Sequence, residues 1–91
     1  QIVGAFGAQT TSGTTNWNDS TNARSGMGYT LLLGNATNGP SGTTHYFHAY
    51  SFEYNTKNGS GNMTQFAVGY NINSLYIRYK YDGTWSSWTQ L

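Results

Sequence analysis

Apolar and polar residues alternate along this chain with the two-residue period of a β-strand, in which successive side chains point to opposite faces. The longest such stretch is predicted at His45 to Asn55. It sets Tyr46, His48, Tyr50, Phe52 and Tyr54 against Phe47, Ala49, Ser51 and Glu53, and both faces are expected to be partly covered. Met63 to Tyr70 opposes Phe66, Val68 and Tyr70 to Gln65, Ala67 and Gly69. Leu75 to Tyr81 continues the pattern as L-Y-I-R-Y-K-Y. Met27 to Leu33 predicts a further strand, and the apolar run Ile2 to Phe6 a short one. No stretch carries the 3.6-residue period of an amphipathic helix.

The turns between these runs set an expected register. Asp82-Gly83 is a strong hairpin signal, because a type I′ turn needs positive φ at both central residues. A two-residue loop there pairs Tyr81 with Thr84, Lys80 with Trp85, Arg78 with Ser87 and Ile77 with Trp88. One hairpin face then carries Leu75, Ile77, Tyr79 and Trp88; the other carries Tyr76, Arg78, Lys80 and Trp85. A four-residue turn at Asn71 to Ser74 pairs Tyr70 with Leu75, Val68 with Ile77 and Phe66 with Tyr79. The apolar residues of both strands then share one side, which is the expected core, while Gln65 lies beside the Arg78 face.

Three polar, turn-rich segments separate the strands: Gly7 to Gly26, Gly34 to Thr44, and Thr56 to Gly61 with Asn58-Gly59 at its apex. The expected fold class is all-β, a small antiparallel sandwich or meander. Ninety-one residues make one domain, 1–91, in which 1–26 forms a connecting strand and long loop. A chain of this size buries only about two-thirds of its unfolded surface. It contains no cysteine, so neither a disulfide nor a zinc–thiolate site can supplement its core, which points to oligomerisation.

Composition narrows the function classes. Gly, Asn, Ser and Thr make up 44 of the 91 residues, yet 16% are aromatic, enough to close a core. Such an uncharged, aromatic composition suits exposed β structure on extracellular or viral surfaces. Charged residues are 8% and the net charge is +1, too little for a phosphate-tracking surface, so nucleic acid is not an expected partner. No apolar run approaches the length of a membrane span, and membrane insertion is not expected. The carboxylates are Asp19, Glu53 and Asp82. Asp82 is explained by its turn and nothing pairs the other two, whereas a glycosidase needs a positioned pair. His45 and His48 fall on opposite sides of a strand and cannot chelate one metal. No catalytic residue, metal or cofactor is therefore expected.

The final third resembles a known family. Gln65, then Leu75-Tyr76-Ile77-Arg78, then Gly83-Thr84-Trp85-Ser86-Ser87-Trp88 near the chain end is similar to the pyocin-knob type domain found at the C-termini of phage tail fibres, tailspikes and R-type pyocin fibres. The resemblance covers roughly Thr64 to Leu91, with a looser match at Gly28 to Leu32. It implies a homotrimeric, virion-associated, extracellular fibre-tip domain. Its implied function is to recognise bacterial surface polysaccharide or lipopolysaccharide, or to cap a fibre whose adhesion or depolymerase activity lies elsewhere.

Two groups of residues carry the candidate chemistry. Trp17 sits in a polar loop between Asn16 and Asn18. It reads either as a sugar-stacking ring bordered by amides or as an anchor pinning the loop to the sheet. With Asn38, Thr43 and His45 these residues form the candidate carbohydrate site. Gln65, Arg78, Lys80 and Trp85 form the second group. It reads as a cation–π contact, as a structural clamp with the guanidinium over Trp85 and bonded to Gln65 or backbone carbonyls, or as a binding face for anionic sugar.

Overall fold

The computed structural model describes residues 16–18, 31–54 and 59–91. Within them lie six strands: β1 (Leu32–Leu33), β2 (Tyr46–Glu53), β3 (Met63–Gly69), β4 (Leu75–Tyr81), β5 (Thr84–Trp85) and β6 (Thr89–Gln90). They form one sheet in the order β1-β2-β3-β4-β5, with β6 also pairing β4. Every pairing between these strands is antiparallel, and Asn16 makes an isolated parallel bridge to Thr37. The fold is thus all-β and a meander, with no helix among the described residues. The expected strand at 2–6, nearly all of the loop at 7–26, most of the strand at 27–33 and residues 55–58 lie outside the described residues.

The β4–β5 turn is as expected. Asp82 (φ 52°) and Gly83 (φ 82°) both adopt left-handed backbone, and Tyr81 pairs with Thr84 and Lys80 with Trp85. The β3–β4 register differs by two residues. Val68 pairs with Leu75, Phe66 with Ile77 and Gln65 with Arg78. The strand stops at Gly69, whose N–H donates to the Ser74 carbonyl at 2.8 Å. Tyr70 instead donates its N–H to the Tyr46 carbonyl at 2.9 Å. Gly69 is required here, since a Cβ would overlap the Ile72 carbonyl. A shift of two preserves the faces, because side-chain direction has period two.

The second half of the hairpin departs further. Lys80 pairs with Trp85, but Ile77 pairs with Thr89 and Tyr76 with Gln90. Four steps on the last strand therefore oppose three on β4. That is a β-bulge, one extra residue that swings part of a strand across the pleat. Ser86 holds it: its N–H donates to the Tyr79 carbonyl at 2.7 Å, and its Oγ accepts the Tyr79 N–H at 2.9 Å. The bulge corrects the expected pairing of Trp88 with Ile77. Trp88 packs instead on the Arg78 side, edge-on to Trp17 with ring centroids 5.4 Å apart.

The larger correction concerns which face is interior. The buried side is Phe47, Ala49, Ser51 and Glu53 of β2, Met63, Gln65 and Ala67 of β3, and Arg78 of β4, closed by Trp17 and Leu32. The face expected to be the core is the more exposed one: Tyr70, Leu75 and Tyr79 are open to solvent, as are Tyr46, Phe52, Tyr54 and Tyr81 on the same side of the sheet. The physical reason is room. Small residues at Ala49, Ser51 and Ala67 leave a trough into which the large Trp17 ring fits, completing a close-packed cluster. The polar groups on this side satisfy one another and so tolerate burial.

Candidate functional site

A row of polar residues crosses the buried face at one level of the sheet. Ser51 lies opposite Gln65, and Gln65 lies opposite Arg78. Neighbouring strands lie about 4.8 Å apart, so these side chains are within hydrogen-bonding reach. Arg78 Nε donates to Gln65 Oε1 at 2.8 Å. Gln65 Nε2 donates to Ser51 Oγ and to the Trp17 carbonyl, each at 3.3 Å. Arg78 Nη2 donates to the same Trp17 carbonyl at 3.2 Å and to Asn18 Oδ1 at 2.8 Å. The guanidinium carbon lies 3.6 Å from the Trp85 ring centroid and 4.5 Å from that of Trp88. The bulge makes this sandwich possible, since on an unbroken strand two residues three apart face opposite ways.

Arg78 is 4% exposed, and these partners are neutral acceptors and two indole faces. Removal from water disfavours its charged form and lowers its pKa to about 10. It therefore stays protonated at neutral pH. Lys80 sits at the edge of the group, with Nζ 5.7 Å from the Trp85 centroid and 3.4 Å from the Gly59 carbonyl. The structure thus brings Gln65, Arg78, Lys80 and Trp85 together, and Gln65 and Arg78 hold the 16–18 loop in place.

That loop contains Trp17, whose side chain is completely buried. Its indole N–H donates to the Leu33 carbonyl at 3.0 Å, and its backbone N–H to the Thr37 carbonyl at 2.9 Å. The ring offers no open face for a sugar, so Trp17 is an anchor; the aromatic supports the core rather than a ligand. Asn16, Asn18 and Asn38 do come together. Asn16 Oδ1 accepts from the Asn18 N–H and from Asn38 Nδ2, both at 2.9 Å. Asn38, at φ 62°, also accepts the Trp88 indole N–H on its carbonyl at 2.9 Å. These amides are thereby engaged in fixing the 16–18 loop to the 34–43 loop. Thr43 and His45 form a separate link, His45 N–H to Thr43 Oγ1 at 3.1 Å, and His45 is exposed.

Three contributors were not legible as site residues in the sequence. Trp88 was placed on the other face, and only the bulge reveals its role. Ser51 is only one of the residues on a strand face in the sequence, and its bond to Gln65 emerges from the pairing of β2 with β3. Glu53 is buried, and its carboxylate accepts the Gly59 N–H and, through Oε2, the Gly61 N–H at 2.6 Å. Convergent backbone N–H groups of this kind form an anion-holding nest, so Glu53 secures the β2–β3 connection. Its sequence signal was a carboxylate on an otherwise apolar strand face, followed by a Gly-Ser-Gly turn. Among the described residues no cluster of three His, Cys, Asp or Glu could hold a metal ion. No family model, curated protein or solved structure matches this chain.

Proposed function

We propose that this chain is a non-catalytic receptor-binding tip module of a phage tail fibre or tailspike, and that it recognises bacterial surface polysaccharide or lipopolysaccharide. The observation that carries the reading is the Arg78-centred clamp, which joins the closing hairpin to the 16–18 and 34–43 loops. The clamp residues are those on which the resemblance to fibre-tip knobs rests. A loop locked in this way meets a ligand already ordered, which lowers the entropy lost on binding. The exposed residues of that rim, Asn35, Thr37, Asn38, Thr44 and His45, are amides, hydroxyls and an imidazole. They suit shallow hydrogen bonding to sugar hydroxyls, with Trp17 as the buried support beneath them.

The test is adsorption of the chain to a panel of bacterial polysaccharides and to whole cells. Binding should fall at least about tenfold, roughly 1.4 kcal/mol, in Thr37→Lys and His45→Ala, with the fold intact by circular dichroism. A correctly assembled chain that binds none of the panel would leave the second reading, a structural cap with adhesion or depolymerase activity elsewhere in the fibre. That second reading is favoured by the extent of apolar surface on the opposite side of the sheet.

A further inference from the structure

The outer face of β2, β3 and β4 is the least expected feature of the molecule. The aromatic residues there are ordered against one another: His48 meets Tyr70 edge-on at 5.7 Å, and Phe52 meets Phe66 edge-on at 5.7 Å. Yet the outermost rings remain open. Tyr46 is 41% exposed, Phe52 43%, Tyr54 76%, Tyr70 58%, Tyr79 57% and Tyr81 66%. At about 150–250 Å² for each ring, these six leave on the order of 700 Å² of aromatic surface in water. Monomeric proteins rarely expose a contiguous apolar patch beyond about 300–600 Å². A stable protein–protein contact takes about 800 Å² from each partner. The face matches an interface in size and exceeds an ordinary monomer surface.

We propose that this face packs against other copies of the same chain. Charge distinguishes this occupant from a different protein. Glu53, Arg78 and Lys80 all point to the clamp side, and no outward position of β2, β3 or β4 carries a charged residue. A surface that meets copies of itself around a symmetry axis brings identical residues together, so any unbalanced charge there would repel. A neutral, aromatic face meets that condition, and the tyrosine hydroxyls can bond across the contact or reach water at its rim. Small domains also gain from oligomerisation because their own cores are limited. The expected number of copies, three, rests on the fibre-tip reading; the interface itself does not.

The experiment is a mass measurement by light scattering on the chain at micromolar concentration, combined with hydroxyl-radical footprinting of its tyrosines. A three-copy mass is expected, with Tyr54, Tyr70, Tyr79 and Tyr81 labelling more slowly than after dilution to monomer. Tyr79→Glu and Tyr54→Glu should each weaken association at least about a hundredfold, roughly 2.7 kcal/mol, while tryptophan fluorescence keeps its folded signature. If a variant fails to fold, the wild-type footprint still decides. A two-copy mass with the same protection would keep the interface and overturn the three-fold assembly of the fibre reading. A wild-type monomer, or an oligomer whose tyrosines label as fast as the monomer's, would overturn the proposal. So would a monomer in which polysaccharide alone protects these tyrosines, which would make the face a sugar platform. Loss of polysaccharide binding without change in mass bears on the proposed function only.

Discussion

Substituting Arg78 by alanine removes the group on which the two halves of the molecule meet. Its guanidinium makes hydrogen bonds to Gln65, the Trp17 carbonyl and Asn18, and lies between two indoles. Hydrogen bonds from a charged donor contribute about 1.5–3 kcal/mol each, and a desolvated cation–π contact about 2 kcal/mol. Desolvation of the cation opposes these, as its lowered pKa indicates. After Arg78→Ala, Gln65 Oε1 is left buried without its charged donor. An orphaned buried acceptor costs about 1–3 kcal/mol and the lost cation–π contact about 2 kcal/mol, so a loss of about 4 kcal/mol is expected here. For a chain of this length that corresponds to a fall in Tm of about 15–30 °C. The assay is urea unfolding at pH 7 and fixed chain concentration, because the proposed self-association would couple stability to concentration. Circular dichroism and tryptophan fluorescence should change together. Arg78→Lys keeps a charge near Trp85 but cannot reach all the acceptors, and should cost about 2 kcal/mol. Lys80→Ala, at the edge of the group, should cost less than about 1 kcal/mol. An Arg78→Ala loss below about 1 kcal/mol, or a Lys80→Ala loss as large as that of Arg78, would refute the clamp as the joint.

Three further outcomes follow from other contacts. Glu53→Gln exchanges an anion for an amide whose NH₂ faces backbone donors; about 2 kcal/mol should be lost, with faster amide exchange at Gly59 and Gly61 measured by NMR. Gly83→Ala meets no neighbouring atom and should cost only the left-handed backbone strain, about 1–2 kcal/mol, whereas Gly69→Ala collides with the Ile72 carbonyl and should cost more; thermal melts of the two variants check the order. Burial lowers the folded-state pKa of Arg78 to about 10, well below the ordinary guanidinium value of the unfolded chain, so the folded chain releases this proton first. Between those values the unfolded state binds more protons, and this group alone makes stability rise with pH. Wild type should therefore gain stability relative to Arg78→Met above pH 10 and show no relative change between pH 6 and 9, as read by paired denaturant titrations; a relative loss above pH 10 would contradict the assigned cause.

Alternation along the sequence identified β2, β3 and β4 and sorted their residues correctly into two faces. Asp82-Gly83 located the last turn to the residue. The two-residue slip of the β3–β4 register did no harm, because parity survived it. What alternation cannot say is which face a loop will cover. That was decided by Trp17, whose ring fits above Ala49, Ser51 and Ala67 through contacts between residues far apart in the chain. Apolarity alone pointed to the wrong side, since a face of Gln65, Arg78 and Lys80 reads as solvated until its partners are known. The bulge was hidden as well: Trp85-Ser86-Ser87-Trp88 looks like uninterrupted strand, and only the pairing of Thr89 with Ile77 exposes the extra residue. Of the candidate site, the Gln65, Arg78 and Trp85 grouping was legible because cross-strand neighbours follow from register, while the role of Trp17 required tertiary packing.

The contacts of the 16–18 segment have a consequence for how the chain is made. Trp17 and Asn18 are held by Arg78, sixty or more positions later, and Asn38 by Trp88, fifty positions later. Closure of such long loops has an entropic cost that must be met before any bond forms, so folding governed by these contacts is slow compared with local hairpin formation. During synthesis the early strands emerge and pair while the residues that lock them are still inside the ribosome. The Trp17 ring lacks its edge-on neighbour until Trp88 has been made. A translation product that stops short of it would expose both sides of its sheet, and protease sensitivity would mark it as unfinished.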